Sequence, residues 1–295
     1  MSNAEAFAVS SLLLRLTASP ALTPRGLADL RRHLRAYGRD IFAVTDPDLS
    51  ASVISVRLER AKWFDVGTGI ARMLGAASAG RSFRIEFMSD DAALLPTSEE
   101  QSAIGKALEA ALVAPVFVSP RDVRCAEWSR RRPFPWGRRG IAVVDDKGHV
   151  VTGKSDCLGA SFVCGAPTTI YAVRLEDVSD AALLRAARAV GGPDAGYADV
   201  GAYATTSAVD GCPALVLELG DEKRAPLHRV LDVLDIECRR SGGRLGRGRL
   251  LSSISLESLL GTLRARMALD VQFGQVIETH LPGDGAEAVG GERSR

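Results

Sequence analysis

The stretch "RAPLHRVLDVLDIECRRSGG", residues 224–243, decides how the second half of the chain folds. Four apolar side chains recur in it at the spacing of one helix face: Leu227, Val230, Leu231 and Leu234. Pro226 stands in the first turn, where helices favour proline. The pattern predicts a helix over 226–240 that buries this face, and it puts His228 in the first turn, as either a structural or a functional imidazole.

Outside this helix, strand-like and helix-like segments alternate along the chain. The strand patterns are 8–16, 40–45, 50–59, 81–89, 114–119, 161–177, 197–209 and 212–220, with two short ones near Leu269 and Val276. The helix patterns are 23–38, 61–77, 97–112, 178–192 and 255–265, several with Ser or Thr at the start and Gly at the end. This alternation predicts an α/β (α+β) protein of two halves, each a small mixed or antiparallel sheet with helices on one face.

The two halves have predicted boundaries. An N-terminal half covers 1–124, an arginine-rich crossover 125–158, a C-terminal half 159–281, and a Gly-rich, charged tail 282–295. We expect the halves to meet near residues 120–160, each with a four- or five-stranded sheet.

Composition excludes several classes of protein. The 295 residues carry a formal net charge of +1, which creates no global field for nucleic acid or an anionic membrane. Five cysteines at irregular spacing form neither a zinc motif nor a disulfide framework. The N-terminal apolar run is short and is interrupted by Arg15, so we expect no membrane span and a cytoplasmic protein.

The crossover contains "CAEWSRRRPFPWGRRG", residues 125–140, in which five arginines are interleaved with three aromatic residues. Such a segment can bind single-stranded nucleic acid by stacking and phosphate contact. It can also hold an acidic ligand, or simply be a crossover whose arginines face water. We favour the solvated crossover, then the acidic ligand, then nucleic acid.

Three strings match a known order of elements. "GASFVCGAPTTIYAVRL" (159–175) resembles the strand that opens the C-terminal subdomain of the formiminotransferase family, and "PALVLELGDEKRAPLHRVLDVLDIECRRSGG" (213–243) resembles its strand, link and "TPLHRV" helix start. "AIGKALEAALVAPVFVS" (103–119) resembles the helix and strand that close the N-terminal subdomain. The resemblance implies two formiminotransferase-like subdomains, a small-molecule ligand between them, tetrahydrofolate as cofactor, and a homodimer.

The polar motifs of that family are largely replaced. Its "GEHPR" histidine, the proposed acid/base catalyst, falls on Ser82 of "GRSFR", with only Arg84 retained. Its "NR" pair falls near Ser50, and its "GSE" falls near Arg249. A hydroxyl does not titrate near neutral pH. We therefore predict that formimidoyl transfer from formiminoglutamate to tetrahydrofolate is absent or very slow.

Seven residues are candidates for a site, and no metal ligands are among them. Ser82, Glu86 and His228 are the catalytic candidates. Glu86, together with Asp90 and Asp91, is one of the best carboxylates for a rebuilt site. Arg84, Asp46, Asp48 and Arg249 are the ligand-binding candidates. The two aspartates could instead cap the "TDPDLS" turn, Arg249 could lie in a solvated "GRLGRGRL" loop, and His228 could be structural.

Three functions remain open at this point. The chain could be a folate-linked or related one-carbon (formimidoyl) transferase with an altered site. It could be a relative whose pocket was rebuilt for another ligand, or a non-catalytic binding protein that kept the fold. The sequence leaves open whether it is an enzyme, because function depends on the site rather than on the fold.

Overall fold

The computed structural model describes residues 12–58, 63–77, 81–89, 91–112, 116–119, 141–144, 150–153, 159–191, 197 and 200–267. Within these ranges the chain forms twelve strands: β1 (Leu12–Ser19), β2 (Gly38–Asp46), β3 (Ala51–Leu58), β4 (Ser82–Met88), β5 (Val116–Ser119), β6 (Ile141–Val144), β7 (Val150–Gly153), β8 (Gly159–Gly165), β9 (Thr169–Glu176), β10 (Val200–Thr206), β11 (Pro213–Leu219) and β12 (Arg244–Leu250). It also forms six α-helices: α1 (Pro24–Leu34), α2 (Trp63–Ala77), α3 (Ser98–Leu112), α4 (Asp180–Val190), α5 (Leu227–Arg240) and α6 (Leu256–Met267).

The strands form two six-stranded sheets. The first sheet has the order β2-β3-β1-β4-β8-β5 and is mixed, because β8 runs parallel to both β4 and β5. The second sheet has the order β12-β9-β11-β10-β6-β7, and its pairs are antiparallel. The predicted α/β class with mixed and antiparallel sheets is therefore confirmed.

Each sheet is built around the same supersecondary unit. In the first, β1-α1-β2-β3-α2-β4 gives the strand order β2-β3-β1-β4, and in the second, β9-α4-β10-β11-α5-β12 gives the equivalent order β12-β9-β11-β10. This β-α-β-β-α-β arrangement is the ferredoxin-like, or split βαβ, motif. The chain thus contains the motif twice.

Each sheet has more strands than the four or five expected. The segment 161–177, which has a strand-like sequence throughout, forms two strands, and these lie in different sheets. β8 extends the first sheet, although 159–281 was assigned to the C-terminal half, and β9 opens the second. A turn containing Pro167 separates them, since proline cannot donate to a strand ladder.

Local signals set most helix starts as predicted. The Thr23 hydroxyl accepts a hydrogen bond from the Gly26 amide, and the Ser179 side chain caps α4. Thr97 and Glu100 form a reciprocal capping box before α3. One expectation is corrected: Gly38 does not end a helix but opens β2. A Cβ there would lie 2.3 Å from the Arg57 carbonyl oxygen, so the close strand pairing requires glycine.

Three apolar clusters hold the layers together. The helices α1, α2 and α3 pack on one face of the first sheet, and α4 and α5 pack on one face of the second. A third, smaller cluster lies between the two sheets and joins residues from both of them: Leu49, Ala51, Val53, Ile170, Ala172, Tyr203, Val216 and Leu251. The order of layers is therefore helices, sheet, sheet, helices.

Some predicted segments lie outside the described residues. These are the start of the first strand pattern at 8–11, the arginine-rich segment 125–140, the strands near Leu269 and Val276, and the tail 282–295. Among the helices of the described ranges, none is both long and apolar enough to span a bilayer.

Candidate functional site

A layer of buried polar side chains lies between the two sheets. Side chains alternate along a strand, so β1 and β4 give one set of residues to the helix-covered core and the other to the opposite sheet. On that inner face, Arg15 is 0% exposed, Glu86 is 2% exposed and Arg84 is 3% exposed. Glu218, from β11 of the second sheet, is 0% exposed. These four charges are balanced, two of each sign.

The guanidinium of Arg15 connects the first sheet to the start of the second. Its Nε donates to Glu86 Oε2 at 2.5 Å and its Nη2 to Glu86 Oε1 at 2.8 Å, a bidentate pair. Its Nη1 donates to the Thr168 carbonyl oxygen at 2.5 Å, and Nη2 also contacts the Thr168 hydroxyl at 2.5 Å. Arg15 therefore fixes the segment that leads into β9.

Arg84 completes the link between the sheets. Its Nη2 donates to Glu86 Oε1 at 2.8 Å, and its Nη1 donates to Glu218 Oε1 at 2.5 Å. The Tyr203 hydroxyl donates to Glu218 Oε2 at 3.2 Å. Two arginines thus share the carboxylate of Glu86. The carboxylate of Glu218 is bonded by Arg84 at one oxygen and by Tyr203 at the other.

This environment sets the charge state of Glu86. Burial alone would raise the pKa of its carboxyl, but the charges and hydrogen bonds of Arg15 and Arg84 together lower that pKa below its ordinary value of 4.5. The group is ionised at neutral pH, and both of its oxygens accept hydrogen bonds from guanidiniums. The geometry gives Glu86 a structural role and does not equip it as a proton acceptor.

Acid should remove the stabilisation that Glu86 provides. A carboxyl whose pKa is lower in the folded state stabilises the fold above its unfolded-state pKa, and this contribution is lost as pH falls through the folded-state value. We expect the difference in unfolding free energy between wild type and Glu86→Gln to be constant from pH 7 to about pH 5. It should shrink as pH falls below 4.5. Urea denaturation at a series of pH values measures this; a difference that persists at low pH would contradict it.

A second charged cluster joins the sheets at Arg249. This residue lies in β12, not in a solvated loop, and its side chain is 26% exposed. Its Nη1 lies 3.3 Å from Asp46 Oδ1, and its Nη2 contacts Asp48 Oδ2. The Ser207 hydroxyl donates to Asp48 Oδ1 at 3.1 Å. Three of the predicted ligand-binding residues are therefore brought together, bonded to each other.

The two aspartates also shape the turn between β2 and β3. The Leu49 amide donates to Asp46 Oδ1 at 3.1 Å, which is the turn-capping bond expected of an aspartate. The Asp48 carbonyl accepts a hydrogen bond from the Ala208 amide at 2.5 Å. The turn interpretation of the "TDPDLS" string therefore fits Asp46, whereas the Asp48 side chain bonds to Ser207 and Arg249 instead of capping the turn.

Several hydroxyls on the inner faces have no hydrogen-bond partner within the described protein. Thr17 Oγ1, Ser55 Oγ and Thr205 Oγ1 are all buried in this way, and so is Asp46 Oδ2. Buried polar atoms in proteins normally bond to protein, to ordered water or to a ligand. These atoms therefore remain able to bond to a polar molecule between the sheets.

Ser82 lies at the edge of this layer. It is the first residue of β4, is 6% exposed, and is paired in register with Ser19 of β1 and Gly159 of β8. It is two residues from Arg84 on the same face of the strand. The structure therefore brings Ser82, Arg84 and Glu86 together.

A cavity of about 870 Å³ opens at the end of the second sheet where β9 begins and where β11 and β12 end. We call it the His228 cavity; it is lined by residues 167–169, 220–223, 226, 228, 253–255, 257, 258, 261 and 264. Its wall contains hydroxyls, the carboxylates of Asp221, Glu222 and Glu257, and the cations of Lys223 and Arg264. Glu222 organises one side, since its carboxylate accepts from the Thr169 hydroxyl and from Ser255 Oγ, the latter at 2.5 Å.

His228 lies in the first turn of α5, as predicted, and lines this cavity. Its Nδ1 is buried and has no hydrogen-bond partner within the described protein. α5 packs on the helix-covered face of the second sheet, the face opposite to the one that bears Glu218. His228 is therefore separate from the Ser82, Arg84 and Glu86 group, although Thr168, which borders the cavity, is bonded to Arg15.

A smaller cavity of about 210 Å³ lies between α1 and α2, lined by His33, Tyr37, Gly69, Arg72 and Met73. The ring of His33 lies 5.1 Å from that of Tyr37, measured between centroids. Burial, followed by the charge of Arg72, lowers the pKa of His33 below its ordinary value. This imidazole is therefore neutral at physiological pH.

Sequence reasoning missed the partners of the predicted residues. Arg15, Glu218, Tyr203 and Thr168 were not site candidates. A signal was present for two of them, because Arg15 in "LLLRLTAS" and Glu218 in "PALVLEL" are single charges inside apolar strands. A lone charge in such a strand must be paired when it is buried. No sequence signal indicates which residue the partner is.

Comparison with known proteins leaves the family open. No family model matches the chain, and a search of curated proteins finds no match. In the part of the chain that the structure describes, no group of three or more His, Cys, Asp or Glu side chains could hold a metal ion.

Proposed function

We propose that this chain is a formiminotransferase-like protein that binds a small polar molecule, tetrahydrofolate or a compound of related chemistry, in the His228 cavity and transfers a one-carbon group there. The observation that carries the proposal is the cavity itself. Its volume of about 870 Å³ lies within the usual range for small-molecule sites, and an imidazole with an unbonded nitrogen lines it.

The cavity offers the polar groups that such a ligand needs. The two ring nitrogens of an imidazole can donate and accept hydrogen bonds, and they can carry a proton between reacting groups. Glu222 holds the Thr169 and Ser255 hydroxyls in fixed positions on the same wall. Lys223 supplies positive charge for a carboxylate such as that of a folate.

The family's usual position offers no such groups. Ser82 replaces the family's histidine, and the neighbouring carboxylate Glu86 is held by two guanidiniums at 2.5 and 2.8 Å. The proposal therefore assigns proton transfer to His228 and gives Arg15, Arg84 and Glu86 the task of joining the halves. Thr168 borders the cavity and accepts a hydrogen bond from Arg15 of the first sheet, so residues of both halves hold this wall of the cavity in place.

Calorimetry with tetrahydrofolate tests the binding step. We expect saturable binding that His228→Asn weakens about tenfold, a loss of roughly 1.4 kcal/mol, because the asparagine amide can replace one ring nitrogen of the imidazole but not both. His33→Asn is the matched control, since His33 lines the other cavity and should leave affinity unchanged. Absence of heat on titration, or equal loss in both variants, would contradict the proposal.

A non-catalytic binding protein is the second candidate. The observation that favours it is the state of β4, where the residues nearest the family's catalytic position are paired with each other. The two candidates differ in turnover. Transfer of a formimidoyl or other one-carbon group during a single-turnover assay supports the first, whereas binding without transfer supports the second.

A further inference from the structure

Gly261 occupies an unusual place in helix α6. It lies in the middle of the helix and lines the His228 cavity. A Cβ built on Gly261 would meet no atom closer than 4.0 Å, and the atom at that distance is Cε1 of His228. Glycine weakens a helix interior because the unfolded chain gains backbone freedom. Close packing of the backbone therefore does not require glycine at this position.

Two glycines of α2 have a packing reason. A Cβ on Gly67 of α2 would lie 3.0 Å from the Ile104 side chain, and one on Gly69 would lie 2.7 Å from His33 Nε2. At those positions an added side chain would displace the neighbouring side chains of Ile104 and His33. Gly261 has no such neighbour, and its φ is not in the left-handed region that favours glycine.

We propose that Gly261 is the residue that determines ligand size and access in the His228 cavity, because its missing side chain leaves the space beside the His228 imidazole open. This inference rests on the proposed function of that cavity. The residues Glu257, Ser258, Gly261 and Arg264 recur at helical spacing and present one face of α6 to the cavity. The space is thus enclosed by this face on one side and by His228 on the other.

The chemistry of the space indicates what part of a ligand enters it. Ser258 Oγ and His228 Nδ1 are both buried without a hydrogen-bond partner in the described protein. Each can donate or accept a hydrogen bond. Because these two atoms have almost no accessible surface, a ligand bonds to them only if the side chains turn, yet both residues line the cavity, and this favours a compact polar group over an apolar tail.

Two substitutions test the role of Gly261. Gly261→Leu places a bulky helix-forming side chain in the cavity, and Gly261→Ala adds one methyl group at ordinary contact distance from His228. Thr262→Leu is the control, since it adds similar bulk to the same helix at a residue that does not line the cavity. The probes are diethyl pyrocarbonate, whose reaction with His228 is followed by peptide mass spectrometry, and tetrahydrofolate, followed by calorimetry.

Gly261→Leu should slow the modification of His228 about tenfold and weaken tetrahydrofolate binding at least about tenfold, the scale of steric discrimination in enzyme pockets. Gly261→Ala should raise the melting temperature by about 2–4 °C, which shows that glycine is not kept for stability. Modification of His33 should be the same in every variant.

The outcomes separate this inference from the proposed function. Slowed modification of His228 in Gly261→Leu supports the inference even when wild type fails to bind tetrahydrofolate, a result that overturns only the folate proposal. Unchanged modification in Gly261→Leu overturns the inference, whatever the folate result. Equal slowing in Thr262→Leu overturns it too, because the effect would then not come from filling the cavity.

Discussion

Glu86→Gln is expected to lower the free energy of unfolding by about 3–5 kcal/mol at pH 7, the usual cost of breaking a buried ion pair from one side. The substitution keeps the shape of the side chain and removes its charge. The guanidinium of Arg15 would lose its paired carboxylate, and that of Arg84 would be left with Glu218, in a region of 0–4% side-chain exposure. In addition, the amide nitrogen of the glutamine, which is a donor, would face a guanidinium N–H donor at the place where a carboxylate oxygen of Glu86 now accepts. Urea denaturation followed by circular dichroism measures the loss.

Glu176→Gln is the matched control for this result. Glu176 pairs with Arg244 across neighbouring strands, but the Arg244 side chain is 72% exposed and that of Glu176 is 36% exposed. Exposed ion pairs contribute about 0–1 kcal/mol, because water screens them and the long side chains lose freedom. Similar losses of unfolding free energy in the two variants would mean that the buried ion pairs stabilise the fold no more than exposed ion pairs do, contrary to the structure.

Helix positions and helix caps, which depend on residues close together in sequence, were predicted well. The period of the apolar residues between Leu227 and Leu234 placed α5 within one residue of its observed start, with Pro226 just before it. Capping residues such as Ser179 and Thr97 placed other helix starts. These signals are local, since a cap and a helix face are complete within one or two turns.

The arrangement of the strands could not be predicted in the same way. "SFVCGAPTTIYAVRLED" contains one apolar run after another, and nothing in it shows that its first part pairs with β4 while its second part pairs with β11 and β12. Pairing brings together residues far apart in sequence. Arg84 and Glu218, for example, are 134 residues apart.

The candidate site was predicted residue by residue, but not as an arrangement. Ser82 and Arg84 were chosen from the match to the family's motif and Glu86 as a nearby carboxylate, and the structure places all three on one face of β4. The two aspartates of the "TDPDLS" turn and Arg249 were chosen separately, yet they meet across the two sheets. The sequence could not show that Glu86 is saturated with hydrogen bonds, because one of its two partners, Arg15, comes from a different strand.

Leu234→Ala is expected to cost about 2–5 kcal/mol of unfolding free energy, because a fully buried leucine loses both its transfer energy and its packing. Leu234 is 0% exposed and belongs to the core that joins α4 and α5 to the second sheet. Leu231→Ala should lie in the lower part of the same range of about 2–5 kcal/mol, since 7% of Leu231 is already exposed. Thermal and urea unfolding of both variants test whether Leu234→Ala loses more stability than Leu231→Ala.

The same helix provides the control that separates burial from helix propensity. Ile236 is 51% exposed and lies two residues beyond Leu234 in α5. Ile236→Ala should change stability by at most about 0.5 kcal/mol, because little apolar surface is lost and alanine favours the helix. A loss at Ile236 as large as that at Leu234 would mean that the solvent side of α5 is covered in solution. Equal and small losses at all three positions would mean that α5 does not pack on the second sheet, and the His228 cavity, which depends on the position of its first turn, would lose its wall.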